Sequence, residues 1–368
     1  MAKKILMVLS SVSIGGGVQG KVMDLYRRMD KTKVQVDFLV HSMSTSNNFS
    51  SEIKSMGGKL FYWGRLKKVG LFSYVKNLFS LIKKEKYDIV HSYMGVNDGL
   101  ILLLARIAKS PIRISHVRTI TNKSSKRKLL KPLLKYSIKK NSTHLLASST
   151  IAGKSLYGNE KFEVIPNPFE TERFLNKNSE TVHEIKKELE ISENMLVLGH
   201  VGRFSQEKNH EFLLELAWNL REQSHLFKII LVGDGELRQH INEKIEKMDL
   251  RNVFHITGAQ SNIEDFYHLF DILLFPSLHE GFGNVAVEAQ IAKKYVIASD
   301  GVSSETDLGL GLIDFISINN MDTWIELITN YNRGMATDIS DEKVRRVLKE
   351  GNYDIKRNIE KYYSIYKL

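Results

Sequence analysis

The chain has 368 residues, 42% of them hydrophobic and 26% charged, with five prolines, 24 glycines and a net charge of +11. That length exceeds one ordinary core and predicts two domains, while the composition excludes a disordered or low-complexity chain. With no cysteine at all, disulfides and thiolate metal sites are excluded as well.

From the N-terminus, "KKILMVL" sets two lysines before an apolar run too short for a signal-peptide core. It reads as a buried first strand of a cytoplasmic protein, and no apolar run is long enough for a membrane span. The strand leads into Gly15-Gly16-Gly17 and then a helical "VQGKVMDLYRRM". Glycines there either let backbone N–H groups approach an anion at a helix N-terminus or simply form a left-handed turn.

"VQVDFLV", "KLFYW", "YDIVHS", "PIRISHV" and "THLLASS" then read as strands, separated by helical "FSSEIKSM", "LFSYVKNLFSLIKKEK", "DGLILLLARIAK" and "KRKLLKPLLKYSIKK". Near-continuous apolar strands alternating with helices indicate a parallel sheet covered on both faces. His91 and His116 sit at the ends of two of these strands. A single such histidine is more often structural than catalytic, and two side by side leave both readings open.

Between Asp98 and Glu160 there is no acidic residue but there are thirteen lysines and arginines, more than the net charge of the whole chain. So local an excess implies an anionic partner. The leucines 129, 130, 133 and 134 among the cations of 123–140 fit either a helix lying on an anionic membrane or a solvated helix packed on the sheet.

The prolines of "FEVIPNPFETERF", residues 162–174, force extended backbone and mark the linker. The strand–helix rhythm then restarts, from "MLVLGHVG" to "YVIASD", and the chain closes on a helical tail. The fold class expected is α/β, two doubly wound domains with ligands beyond the carboxyl ends of their strands and a cleft between them. The divisions expected are 1–165, 166–345 and a helical segment 346–368 that crosses back to the first domain.

Three motifs of the second half carry chemistry. In "VGRFSQEKN", Arg203 leaves a strand end and Lys208 follows at a helix start; both suit one phosphate group, or are two solvated loop cations. In "VGDGEL", Gly233-Asp234-Gly235 is either a ligand loop or an ordinary turn. In "LFPSLHEGFGNVAVEAQ", Glu280 lies in a loop, Gly281-Phe282-Gly283 turns the chain, Asn284 is positioned to cap the next helix, and Glu288 lies one turn inside it. Two carboxylates so placed suit a polyhydroxyl ligand; a cap plus a surface glutamate is the plain alternative.

These motifs, in this order over nearly the whole chain, resemble the family 4 retaining glycosyltransferases of GT-B architecture, two Rossmann-like domains facing a cleft. "PSLHEGFGNVAVEAQ" resembles that family's E-x7-E signature and "VIPNPFETERF" its interdomain segment, and "KKNSTHLLASSTIAGKSLYG" gives a bacterial exopolysaccharide and capsule likeness. Pro168, Gly283, Lys293, Tyr295 and the "HVRT" around His116 depart from the pattern.

The resemblance implies an acceptor-binding first domain and a nucleotide-sugar-binding second domain. Arg203 and Lys208 would hold the donor diphosphate, Glu280 the sugar hydroxyls and Glu288 the ribose. Gly16 and Gly17 would approach the sugar-phosphate and the acceptor, Gly233 and the Gly281–Asn284 turn would line the donor, and His116, with His91 as alternative, would stand near the sugar. It implies retaining transfer of a hexosyl unit from a UDP-linked donor to a saccharide or lipid-diphosphate-linked acceptor in surface polysaccharide synthesis. No metal and no cofactor are implied, the nucleotide sugar being a substrate, and nucleic acid is not expected as a partner. The competing readings are a UDP-sugar epimerase of related architecture and a basic nucleic-acid-binding protein.

Overall fold

The computed structural model describes residues 2–14, 17–42, 48–64, 69–119, 130–222, 226–336 and 339–368. Thirteen strands run, in chain order, β1 (Lys3–Leu9), β2 (Val34–Val40), β3 (Leu60–Tyr62), β4 (Ile89–Ser92), β5 (Ile112–Val117), β6 (His144–Ala147), β7 (Glu163–Val164), β8 (Leu196–Val201), β9 (Phe227–Val232), β10 (Phe254–Gly258), β11 (Ile272–Phe275), β12 (Tyr295–Ser299) and β13 (Ile313–Ile316) among the described residues. The first seven form one sheet in the order β3-β2-β1-β4-β5-β6-β7, and the last six a second in the order β10-β9-β8-β11-β12-β13.

Every strand pairing in both sheets is parallel. Parallel strands are covered by helices on both faces, which is why β4, β11 and β12 are buried along their whole length. The strand order reverses between β1 and β4 and again between β8 and β11. In a doubly wound sheet such a reversal leaves a crevice at the carboxyl ends of the two strands. The expected ligand loops after β1 and after β8 therefore stand at the switch points of their sheets.

By contacts the chain forms two units, Met1–Pro168 with Ile355–Leu368, and Phe169–Asp354. This redraws the expected divisions. Residues 166–168 stay with the first unit, next to Ile165, whose N–H donates to the carbonyl of Ala147 at the end of β6. The tail does not move as one piece. The helix Asp341–Glu350 buries Val344 and Leu348 in the second core. After a turn at Asn352, which takes a positive φ of 60°, the helix Ile355–Tyr366 buries Ile355, Ile359, Tyr362, Ile365 and Tyr366 in the first. Those five lie on one face at helical spacing, and each large apolar side chain so buried contributes roughly 1.5–3 kcal/mol.

Candidate active site

In the second unit the site is built from loops at the carboxyl ends of its strands. Beyond β8 and β9, three short segments are zipped by backbone hydrogen bonds: Gly202 to Val232, Phe204 to Asp234, and Gly233 to Gly258. A side chain at Gly233 would drive its Cβ into the carbonyl oxygen of Gly202. Gly233 was expected to line the donor; the structure gives it backbone packing, and the glycine is there because two loops touch.

Arg203 and Lys208, expected on one phosphate, have separate partners. Arg203 is exposed and its Nη2 donates to Glu236 Oε2 at 2.7 Å. Glu236 also lines a cavity of about 710 Å³ between β10 and the helix Arg238–Lys247. Lys208 lies in a 3-10 turn, Gln206–Lys208. Its Nζ bonds Glu280 Oε1 at 2.5 Å and sits 4.8 Å from the ring centre of Phe275, at the end of β11. Both partners of that pair are mostly shielded, at 18% side-chain exposure each. The loop carrying Glu280 is itself tied down, by Leu278 to Glu207 and by Glu280 to Gly301 through backbone bonds.

Beyond Glu280 the chain turns into the helix Asn284–Ile291. The expected cap, Asn284, is the first helical residue instead. Gly283 holds the cap position in the left-handed region at φ 93°, and no side chain caps the helix. A Cβ at Gly283 would press on Phe275, Thr306 and Val302 at 3.1–3.2 Å and would be strained at that φ, which disfavours the usual polar cap residue. Phe282, expected to line the donor, has its side chain buried and packed 5.9 Å from the ring of Tyr353. Glu288 accepts a hydrogen bond from the buried Tyr267 hydroxyl at 2.9 Å. Burial, and then the charge of Glu288, holds that phenol well above its usual pKa.

Two buried histidines under the Arg203–Lys208 loop escaped the sequence reading. His200 bonds the carbonyl of Leu274 at 2.9 Å, and His210 stacks on Phe204 with ring centres 4.1 Å apart. Burial pulls His200 down to about 4 and His210 to about 2, the latter helped by His200 and Lys208. Their signal was present in "GHVGRFSQEKNH", but the two rings meet only once the loop folds back on its strand.

In the first unit, Gly17 opens the helix Gly17–Arg28 and is exposed, while Gly16 lies outside the described residues. His91 and His116 are brought together as stacked rings 5.3 Å apart, with His91 Nε2 and His116 Nδ1 at 3.1 Å. Both are fully buried. Burial first, and then the positive charge of Arg118, holds both well below the usual histidine value, so both are neutral. His116 was expected near the sugar; its ring is buried, and its one open group is Nε2, without a hydrogen-bond partner among the described residues.

These neutral histidines predict an acid-labile fold. His91, His116, His200 and His210 take up protons only on unfolding between about pH 6.5 and their depressed native values. The unfolded chain then binds more protons, so stability falls as pH drops below about 6.5, by up to about 1.4 kcal/mol per pH unit for each histidine. Asp98, raised by burial to about 7, opposes this as a single group. Urea midpoints should fall steadily from pH 7 to pH 5, and a flat profile would contradict the assignment.

The basic window divides by burial. Arg118 is inside the unit, Arg113 bonds the carbonyls of Asn141 and Ser110, and Lys139 pairs with Glu160. On the helix Lys131–Asn141, Leu134 and Ile138 turn inward, whereas Leu133, Tyr136 and the preceding Leu130 are each more than half exposed. Residues 120–129, including Leu129 and four of the expected cations, lie outside the described residues. Among the described residues no helix is long and apolar enough to cross a membrane, and no group of three metal-ligating side chains is assembled.

The family profile for Glycosyltransferase Family 4 matches residues 15–173, and that for Glycosyl transferases group 1 matches residues 181–308. Over its whole length the chain is 33% identical to EpsF of Bacillus subtilis (strain 168), which is named as a glycosyltransferase and is covered to 97%. The chain belongs to glycosyltransferase family 4. A further relative of this glycosyltransferase is an Escherichia coli protein named UDP-Gal:alpha-D-GlcNAc-diphosphoundecaprenol alpha-1,3-galactosyltransferase, 28% identical over 79% of this chain and 78% of that one. Among solved structures, Anabaena HepE in complex with UDP matches all of both chains with a TM-score of 0.76 at 17% identity. That likeness gives the glycosyltransferase the GT-B fold.

Proposed function

We propose that this glycosyltransferase moves a hexosyl unit, with retention, from a UDP-linked sugar to a saccharide or lipid-diphosphate-linked acceptor in surface polysaccharide synthesis, using neither metal nor cofactor. One observation carries the reading: the Lys208–Glu280 pair at the switch point of the second sheet. It puts a cation for a departing diphosphate against an acid for sugar hydroxyls. Glu288, half-buried within the following helix, would take the ribose, and Arg203 would add a second phosphate contact. The UDP bound to HepE and the donor and acceptor in the name of the E. coli relative support the choice of substrates.

In the reaction the bond from the anomeric carbon to the diphosphate oxygen breaks. A bond to the acceptor oxygen forms on the same face, and the acceptor proton passes to the departing diphosphate. Lys208 and Arg203 stabilise the charge that develops there, which is the work a metal would otherwise do.

A thermal-shift panel of UDP-, GDP- and ADP-sugars tests the donor. A UDP-sugar should raise Tm, since a ligand at 100 Kd adds about 2.7 kcal/mol to the native state. A shift with another nucleotide alone would overturn the UDP assignment. Product NMR should show the anomeric configuration of the donor, and turnover should survive EDTA; conversion of UDP-sugar without acceptor would favour the epimerase.

The exposed Leu130, Leu133 and Tyr136, flanked by the exposed Lys139 and Lys140, would hold the enzyme peripherally on an anionic inner membrane face, where a lipid-linked acceptor resides. The protein should co-sediment with phosphatidylserine-containing vesicles and not with neutral ones. High salt should release it, and Leu133→Glu should weaken binding. Equal partition to both vesicle types would remove the membrane role.

A further inference from the structure

Arg118 follows β5 and is only 6% exposed, yet no carboxylate answers its charge among the described residues. Nη1 donates to Asn167 Oδ1 at 2.7 Å and Nη2 to the Tyr362 hydroxyl at 3.1 Å, and the guanidinium lies 5.4 Å from the ring centre of Tyr93. Its Nε is buried with no partner among the described residues. The chain that follows cannot supply the missing charge, because it contains no acid before Glu160. A buried guanidinium without an anion carries a desolvation penalty that a bound anion would relieve.

Two more polar groups in the same stack are open. The Tyr93 hydroxyl and His116 Nε2 are buried with no hydrogen bond of normal length among the described residues, the hydroxyl facing the Arg118 guanidinium, and their rings lie 5.1 Å apart. The bonds behind His116 allow two tautomers, and an anion beside it selects the one with Nε2 protonated. His91 Nδ1 meets the Tyr366 hydroxyl at 2.8 Å. With that phenol donating, His91 Nε2–H donates to His116 Nδ1, and His116 Nε2 carries a proton. Arg118 Nε–H, Tyr93 O–H and His116 Nε2–H are then three donors around one buried cation. That set matches a tetrahedral oxyanion, with its several acceptor oxygens and negative charge.

We propose that Arg118, Tyr93 and His116 form a phosphate-binding site inside the first unit. As a place for a substrate phosphate it rests on the transferase reading, and the phosphate comes either from the diphosphate of a lipid-linked acceptor or from that of the donor. Tyr362 and Tyr366 are positioning residues, one bonded to the guanidinium and the other to His91 behind His116.

The test compares Tm in phosphate with Tm in chloride at equal ionic strength, for the wild type, Arg118→Gln and Tyr93→Phe. Phosphate should raise Tm of the wild type, raise it less in Tyr93→Phe and not raise it in Arg118→Gln. Tyr93→Phe removes only a hydroxyl that faces the Arg118 guanidinium and leaves the ring packing in place, so it decides the matter even if Arg118→Gln fails to fold. No phosphate-specific shift in the wild type, or equal shifts in all three proteins, overturns the site. These readouts need no turnover, so they stand or fall apart from the transferase reading. In kinetics, a KM raised about tenfold or more for a diphosphate-linked acceptor with the UDP-sugar KM unchanged assigns the phosphate to the acceptor, and the converse assigns it to the donor. Both KM values unchanged would overturn the substrate role.

Discussion

Lys208→Ala is expected to lower kcat by about 10²–10³ while leaving the fold standing. Its ammonium is the partly shielded cation of the candidate site, held between Glu280 and the face of Phe275. The pair is not what keeps the second unit folded, because its loops are joined by backbone bonds from Leu278 to Glu207 and from Glu280 to Gly301. Removing the lysine leaves a mostly shielded Glu280 without its partner and costs about 1–3 kcal/mol of stability. If Glu280 binds sugar hydroxyls while Lys208 binds the diphosphate, the double variant Lys208→Ala/Glu280→Ala will be less impaired than the sum of the two singles predicts. Unchanged turnover in Lys208→Ala would remove the phosphate role.

Gly233→Ala is expected to cost about 3 kcal/mol or more of stability, since the added methyl meets the backbone of Gly202, which cannot rotate away as a side chain can. Turnover should fall too, because the segment pushed aside leads directly into Arg203 and Lys208. Gly20→Ala is the control. Gly20 lies in the helix Gly17–Arg28 with nothing within 4 Å of a new Cβ, and the change should stabilise by up to about 1 kcal/mol. Urea denaturation of the two variants checks both signs.

The fold was legible because a parallel sheet buried on both faces writes itself as uninterrupted apolar strands between amphipathic helices. Local signals failed where an outcome depended on a neighbour distant in the chain. Asn284 has the chemistry of a cap, but the cap position falls one residue earlier, where a positive φ and the crowding of Phe275, Val302 and Thr306 favour glycine. Phe282 stands in a glycine turn and reads as part of the donor loop, yet its ring packs against Tyr353. Short or polar elements were also overlooked, among them β13 and the helix Met321–Thr329. Of the candidate site, the order of Arg203, Lys208, Glu280 and Glu288 was readable from spacing. The union of Lys208 with Glu280 across 72 residues was not, nor was the burial of Arg118, which in sequence is one cation among thirteen.

The helix Ile355–Tyr366 bears on the order in which the protein is made. The first unit is translated first, but it lacks the helix that fills its core with Tyr362 and Tyr366 until residues 355–366 leave the ribosome. Phe169–Asp354 is contiguous and closes its own core as it emerges. The half of the enzyme begun first is therefore finished last. While it waits, His91, Arg118 and the apolar face beside them lack their tyrosine lining, an interval in which a nascent chain is open to aggregation and to chaperones.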